Sequence, residues 1–381
     1  MIFPEQERIA RFRLTRSLNI GPSSFIHLIN KCRSADAAIK YLSGAGSKYS
    51  GGICSLDAAI NEFNRMERIG GRFIFLGESL YPNALAIITD PPPVIGVIGS
   101  PQIVQKLPEL DMFAVVGSRA CSYNSARFAY NLSKNLSSEG ITIVSGLARG
   151  IDAQAHKGGL SSKGSSVAVL ACGLGVPPYP PENKDLYCQL QESGMIMSEM
   201  PFNIAPQAAL FPRRNRIIAG LTRGTLVVEA ADKSGSLTTA RYALEYNRDV
   251  YAVPGFPLDP RCVGTNRLLK NGAILVESAF DILNNYPTTV RPPLPFNNFK
   301  LEEQQGAFGS SNNEIKIDLK PDPTDKKARI FELLGSDPVS IEDLTNECQI
   351  PVNNLMAILT ELELDNKVKI ENNQQVSLVI C

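Results

Sequence analysis

The sequence predicts an α/β protein built on a mostly parallel sheet, and two observations carry that prediction. From Met112 onward, near-continuous apolar strands alternate with helical patterns, as expected for a parallel sheet covered on both faces. Between Ala114 and Ala240, four segments rich in small residues and basic side chains follow one another: AVVGSRACS, IVSGLARGIDAQAHKGG, FPRRNRIIAG and VVEAADKSGSLTTA. Each reads as a strand end opening into a helix, where such a sheet presents backbone N–H groups and helix N-termini to phosphate. The expected core is a Rossmann-like sheet over residues 71–290.

Residues 1–70 precede it as a small helical unit. ERIARFRLTRSL and SSFIHLINKC are amphipathic and flank a turn at Asn19–Pro22. This arrangement is like a helix-hairpin-helix, whose turn amides often touch DNA backbone, but is read in preference as a helical packing unit. RFIFLG (Arg72–Gly77) is the first strand signal, and Pro91–Pro93 then forces an extended crossing. MFAVVG leads to a helix near Ser122–Ser138, ITIVSG to one near Ile151–Leu160, and SSVAVLACG into the proline-rich VPPYPPEN. Met195–Ser198 and Thr225–Glu229 are further strands, the second followed by a helix near Ser236–Tyr246, and DVYAVPG and AILVES close the sheet. Residues 291–324, rich in Pro, Asn, Gln and Gly, read as a linker. Residues 325–381 hold three helical signals and a hairpin-like end, the order of a winged helix.

Composition narrows the function classes. A chain of 381 residues suits two or three domains. No apolar run approaches the ~20 residues of a membrane span, and charges interrupt the N-terminus where a signal peptide is apolar. The eight cysteines form no C-x-x-C pair and read as reduced thiols of a cytoplasmic protein. His27 and His156 lie far apart without cysteines at ligand spacing, so no metal site is expected. The net charge of zero conceals an asymmetry: 10 Lys/Arg against 6 Asp/Glu in residues 1–70, but 5 against 10 in residues 325–381. The third helix of the tail carries Glu361, Glu363 and Asp365. An acidic winged helix repels DNA, so the tail is expected to bind a protein or pack within the chain.

Four loops carry the candidate chemistry. In Gly117-Ser118-Arg119, glycine allows close backbone approach, serine offers an N–H and a hydroxyl, and arginine offers a bidentate phosphate fork. Ser145, Gly146 and Arg149 repeat the arrangement at the next strand end. There Asp152 and His156 share a helix face, read as a capping and packing pair in preference to a catalytic one. Phe211, Arg213, Arg214, Asn215 and Arg216 join an aromatic to three arginines, which suits a single strand because stacking serves every base and phosphate contacts serve every sequence. Lys233, Gly235 and Ser236 occupy the next strand-to-helix turn, with Ser236 as a natural N-cap. Neither a Walker loop nor a dinucleotide fingerprint occurs, so no nucleotide cofactor is expected.

Taken in order, YPNALAIITDPPPV, VVGSR, SGLARGIDAQAH, FPRRNRIIAGL, VVEAADKSGSLTTA, AVPG and GTNRLLKNGA resemble the DNA-processing protein DprA (Smf) family across Tyr81–Glu277. The resemblance implies a bacterial, cytoplasmic, non-enzymatic protein that binds single-stranded DNA during natural transformation. It implies protection of the incoming strand, loading of the RecA recombinase, and dimerisation through the Rossmann-like domain. By motif match, Arg119 is implied to contact DNA and Phe211 to contact a base. Some members carry a lysine three residues before that phenylalanine, where this chain has Ala208, so Arg213, Arg214, Arg216 or Lys233 is expected to compensate. Two alternatives compete. A nucleotide or nucleoside-phosphate hydrolase on a similar sheet would need a P-G-G-x-G-T loop, where this chain has KSGSLTTA. A winged-helix transcription factor is opposed by the tail's charge.

Overall fold

The computed structural model describes residues 2–44, 52–293, 326–335, 338–365, 367–371 and 375–379. Four helices come first: α1 (Glu5–Arg16), α2 (Pro22–Cys32), α3 (Ala35–Ser43) and α4 (Leu56–Arg68). The body runs β1 (Arg72–Phe75), α5 (Asn83–Ala86), β2 (Val94–Gly99), α6 (Pro101–Gln105), β3 (Met112–Val116), α7 (Tyr123–Ser138), β4 (Thr142–Ser145) and α8 (Ile151–Leu160). It continues through β5 (Ser166–Val169), α9 (Lys184–Ser193), β6 (Met195–Ser198), α10 (Leu210–Leu221), β7 (Gly224–Val227) and α11 (Ser236–Glu245). Then follow β8 (Asp249–Ala252), α12 (Val263–Lys270), β9 (Ile274–Leu275) and α13 (Ala279–Asn284). The tail holds α14 (Lys326–Leu333), β10 (Val339–Ser340), α15 (Ile341–Cys348), α16 (Val352–Leu364), β11 (Val368–Glu371) and β12 (Gln375–Leu378). Beyond residue 293, the linker expected at 291–324 lies outside the described residues.

The nine body strands form one sheet in the order β1-β2-β6-β5-β4-β3-β7-β8-β9. All neighbours from β6 to β9 are parallel, while β2 pairs antiparallel with both β6 and β1. The extended crossing expected after Pro93 is thus itself a strand, β2, inside the sheet. Strands β3, β4 and β5 are buried along their whole length, which is why they read as apolar runs and not as alternating ones. Strand order reverses between β3 and β7, and the C-terminal ends of these two strands flank the crevice where open α/β sheets receive ligands.

The N-terminal helices dock on the sheet through aromatic packing. Phe12 on α1 and Phe63 on α4 meet Phe73 on β1, with ring centroids 4.7–5.1 Å apart. The basic residues of α1 face the chain itself. Arg8 pairs with Glu78, Arg11 with Glu7 and Arg16 with Glu62, and Arg13 donates to the Cys54 carbonyl at 2.8 Å. Much of the positive balance in residues 1–70 is therefore engaged within the fold.

The tail is a winged helix: α14, α15 and α16 enclose Ile330, Leu344, Leu355 and Leu359 against the three-stranded sheet β10-β12-β11. It packs against the body, with Tyr123 of α7 joining its core and hydrogen bonded to Asp343. Arg261 also donates to the Leu334 carbonyl at 2.5 Å. Helix α16 contains no lysine or arginine. The isolated segment 325–381 is accordingly expected to bind duplex DNA more weakly than about 10⁻⁴ M at physiological salt, the loose end of non-specific binding. Micromolar binding in a filter or anisotropy assay contradicts this.

Candidate functional site

Helix α10 sets the geometry. FPRRNR, read in sequence as a strand-end loop, is its first two turns, so its arginines point in different directions at ~100° per residue. Arg213 is exposed on the surface. Arg214 and Arg216 are each only 4% exposed. Arg214 donates to the carbonyl of Gly146 after β4 and, at 2.5 Å, to that of Val169 on β5, tying two strand ends together. Its Nε donates to Asn215 Oδ1 at 3.1 Å, and Asn215 Nδ2 donates to the Gly235 carbonyl at 3.2 Å. Arg216 pairs with Glu199 and donates to the Asp90 carbonyl at 2.6 Å. The phosphate forks expected from Arg214 and Arg216 are thus turned inward, because neighbouring strands supply carbonyls and carboxylates that satisfy their donors.

The loop amides are engaged in the same way. The Ser118 N–H, expected to be free, donates to the Glu229 carbonyl at 2.7 Å, and the Ser118 carbonyl accepts from Ile151 N at 3.1 Å. Ser118 Oγ accepts from Ala120 N at 3.2 Å. Gly117 lies against Ile151, where a Cβ would come within 2.6 Å of that side chain. Its smallness thus serves packing. Ser145 Oγ donates to the Val115 carbonyl at 2.7 Å, and a Cβ on Gly146 would strike the Arg214 guanidinium at 2.2 Å. Ser236, expected as an N-cap, is the first helical residue of α11, with Gly235 at the cap position and its hydroxyl 2.7 Å from Ser234 Oγ.

Asp152 and His156 complete this bracing. The Asp152 carboxylate accepts from Gly146 N at 3.1 Å and from Ala148 N at 3.4 Å, so these two amides are engaged within the chain. His156 Nε2 accepts from Leu147 N at 3.1 Å, and its Nδ1 lies 2.8 Å from Ser166 Oγ. Both side chains are buried, and each serves the loop backbone instead of facing solvent. Burial raises the Asp152 carboxyl against the opposing pull of Arg214. Burial, helped by the Arg214 charge, pushes His156 down from 6.5 to about 3. The unfolded chain therefore takes up the His156 proton first as acid is added. The contribution of neutral His156 is complete above pH 6.5 and is lost as pH falls towards 3. Urea unfolding between pH 6.5 and 5 should show a His156-dependent slope of up to ~1.4 kcal/mol per pH unit. His156→Gln removes that component, and an unchanged slope contradicts the assignment.

Among the expected site residues, exposed side chains remain on Arg119, Arg149, Arg213 and Lys233, and Phe211 is half-buried. Arg119 and Phe211 meet: the guanidinium carbon of Arg119 lies 4.9 Å from the ring centroid of Phe211. Arg214 lies 5.9 Å from the same ring. Sequence reasoning missed the partners that hold this arrangement: Glu229, whose carboxylate accepts from the Ser122 hydroxyl at 2.9 Å, and Glu199 and Asp90 around Arg216. It also missed Tyr179, whose ring centroid lies 6.1 Å from that of Phe211.

Comparison with known proteins places the chain. Residues 72–287 match the model of the DNA recombination-mediator protein A family, residues 318–371 that of the DprA winged helix domain, and residues 5–64 that of the DprA-like N-terminal HHH domain. Protein Smf of Escherichia coli is 42% identical over 243 residues, covering 63% of this chain and 64% of that protein. The DNA processing protein DprA of Streptococcus pneumoniae is 41% identical over 209 residues, covering 55% of this chain and 72% of that protein. The match thus spans slightly less than two thirds of the E. coli relative's length. The X-ray structure of S. pneumoniae DprA superposes with a TM-score of 0.63 at 30% identity, covering 76% of this chain and all of that one. A Helicobacter pylori DprA structure, described for its single-stranded DNA binding mode, superposes with a TM-score of 0.50 at 27% identity, covering 56% of this chain and 94% of that one. With a family model matched over more than half its length and relatives at this identity, the chain belongs to the DprA (Smf) family.

Proposed function

We propose that this chain binds single-stranded DNA at the C-terminal edge of its sheet, shields the strand entering during natural transformation, and delivers it to the RecA recombinase. It acts as a cytoplasmic homodimer and catalyses no reaction. The observation that carries the reading is the Arg119 guanidinium over the Phe211 ring at the strand-order reversal, a phosphate partner and a base platform side by side. The binding described for the H. pylori relative supports it. The hydrolase alternative gains nothing from Asp152 and Glu229, whose carboxylates both accept from backbone amides. Leu275 on β9 and Phe280 and Leu283 on α13 are exposed at the free edge of the sheet, which supports dimerisation through this domain. The same reading divides the chain into units at 1–70, 71–290 and 325–381, joined across 291–324.

Photo-cross-linking of a 4-thiothymidine strand, mapped by mass spectrometry, tests the location. Cross-links should fall in the segments holding Arg119 and Phe211, and cross-links confined to α2 or α16 contradict it. The compensation for Ala208 narrows to Arg213 and Lys233, since Arg214 and Arg216 are turned inward. Ala208→Lys should raise single-strand affinity less than tenfold, and a larger gain with a steeper salt dependence shows that nothing compensates.

A further inference from the structure

Tyr179 has no role in the arrangement described so far. It sits in the proline-rich loop after β5, between Pro178 and Pro180. That loop is held without it. Pro180 is buried, and Asn183 Nδ2 donates to the carbonyls of Leu147 at 2.9 Å and Ala148 at 3.1 Å, fastening the loop to the β4–α8 connection. Gly173 N and Gly175 N each donate at 2.8 Å to carbonyls of the 202–204 segment. Tyr179 itself is 41% exposed, and its hydroxyl makes no hydrogen bond among the described residues. Its ring contact is Phe211, at 6.1 Å and 50°. An exposed aromatic on a stiff loop, not needed to hold that loop, is a ready-made surface for a planar ligand.

The sheet gives the two rings an order. Tyr179 follows β5, Arg149 follows β4, Arg119 follows β3 and Lys233 follows β7, four adjacent strands at about 4.8 Å spacing. Phe211 is the ring that both Tyr179, after β5, and Arg119, after β3, approach. The tilt and spacing leave no slot between the rings, so they form a stepped shelf and not a sandwich. We propose that Tyr179 is a second base-stacking platform, holding the base adjacent to the one on Phe211, so that the site engages two consecutive unpaired bases. This rests on the single-strand reading above. It adds that affinity depends on a residue outside the arginine-bearing loops.

The chain contains no tryptophan, so Tyr179→Trp places a single reporter at the site. Titrating the full chain with a dT oligonucleotide should quench that emission over the concentrations at which anisotropy reports binding. A strand with abasic positions throughout should quench it far less. Tyr179→Ala should weaken dT binding at least about fivefold with an unchanged salt slope, while Tyr179→Phe binds as the parent does. On the abasic strand, Tyr179→Ala should bind like the parent, which separates stacking from damage to the loop. If the parent binds dT and Phe211→Ala weakens it, but Tyr179→Ala does not and the tryptophan stays unquenched, this inference fails alone. A parent chain that does not bind dT overturns the single-strand reading and this inference with it.

Discussion

Replacing Phe211 by alanine lowers affinity for an oligo-dT strand by about 5- to 150-fold, because base–aromatic stacking contributes roughly 1–3 kcal/mol per base. The loss should leave the salt dependence unchanged, since no phosphate contact is removed. Arg119→Ala behaves differently: affinity falls, and the slope of log affinity against log salt becomes shallower by about 0.7, one single-strand phosphate contact. The two effects are coupled. The guanidinium of Arg119 lies 4.9 Å from the Phe211 ring, so each side chain helps hold the other in place. The double variant should lose less than the sum of the single losses, as contacting residues do in a double-mutant cycle. Strict additivity with equal changes in salt slope means that the two residues do not share one site.

Replacing Arg214 by leucine has its large effect on stability. Its guanidinium satisfies carbonyls at the ends of β4 and β5 and offsets the buried Asp152 carboxylate. Removing it leaves two carbonyls without this donor and the buried Asp152 carboxyl without its opposing charge, and breaking a buried charge network from one side costs about 3–5 kcal/mol. Burial draws the Arg214 pKa down only to about 10, so the guanidinium stays charged at neutral pH. Denaturant unfolding should show the midpoint falling with the m-value unchanged. Among molecules that remain folded, the salt slope for single-strand binding should match the parent. An Arg214 variant of normal stability with a shallower slope would assign Arg214 to the phosphate backbone instead.

The fold was legible where burial alone decides. Met195–Ser198 and Ile151–Leu160 are apolar or amphipathic over their whole length, and both form the elements expected at those bounds. FPRRNR was not legible as a helix, because Phe-Pro-Arg reads as a break. Pro212 falls in the first turn of α10, where a missing N–H costs nothing. Nor does sequence reveal that two of its arginines are internal. Arginine is rarely buried, and the groups that permit it here (Gly146, Val169, Asp90) lie 45–126 residues away. Arg119 and Phe211 could be named from motifs, but their contact and that of Phe211 with Tyr179 are created by the sheet, which brings separate strand ends to one edge.

The most direct measurement is fluorescence anisotropy of a labelled dT oligonucleotide over a salt series, with duplex of equal length as competitor, for the parent chain and Arg119→Ala. Single-strand binding that duplex displaces poorly is expected, because paired bases cannot stack on Phe211, together with a salt slope reduced by about 0.7 in the variant. Equal competition by duplex, or a slope unchanged by Arg119→Ala, contradicts this.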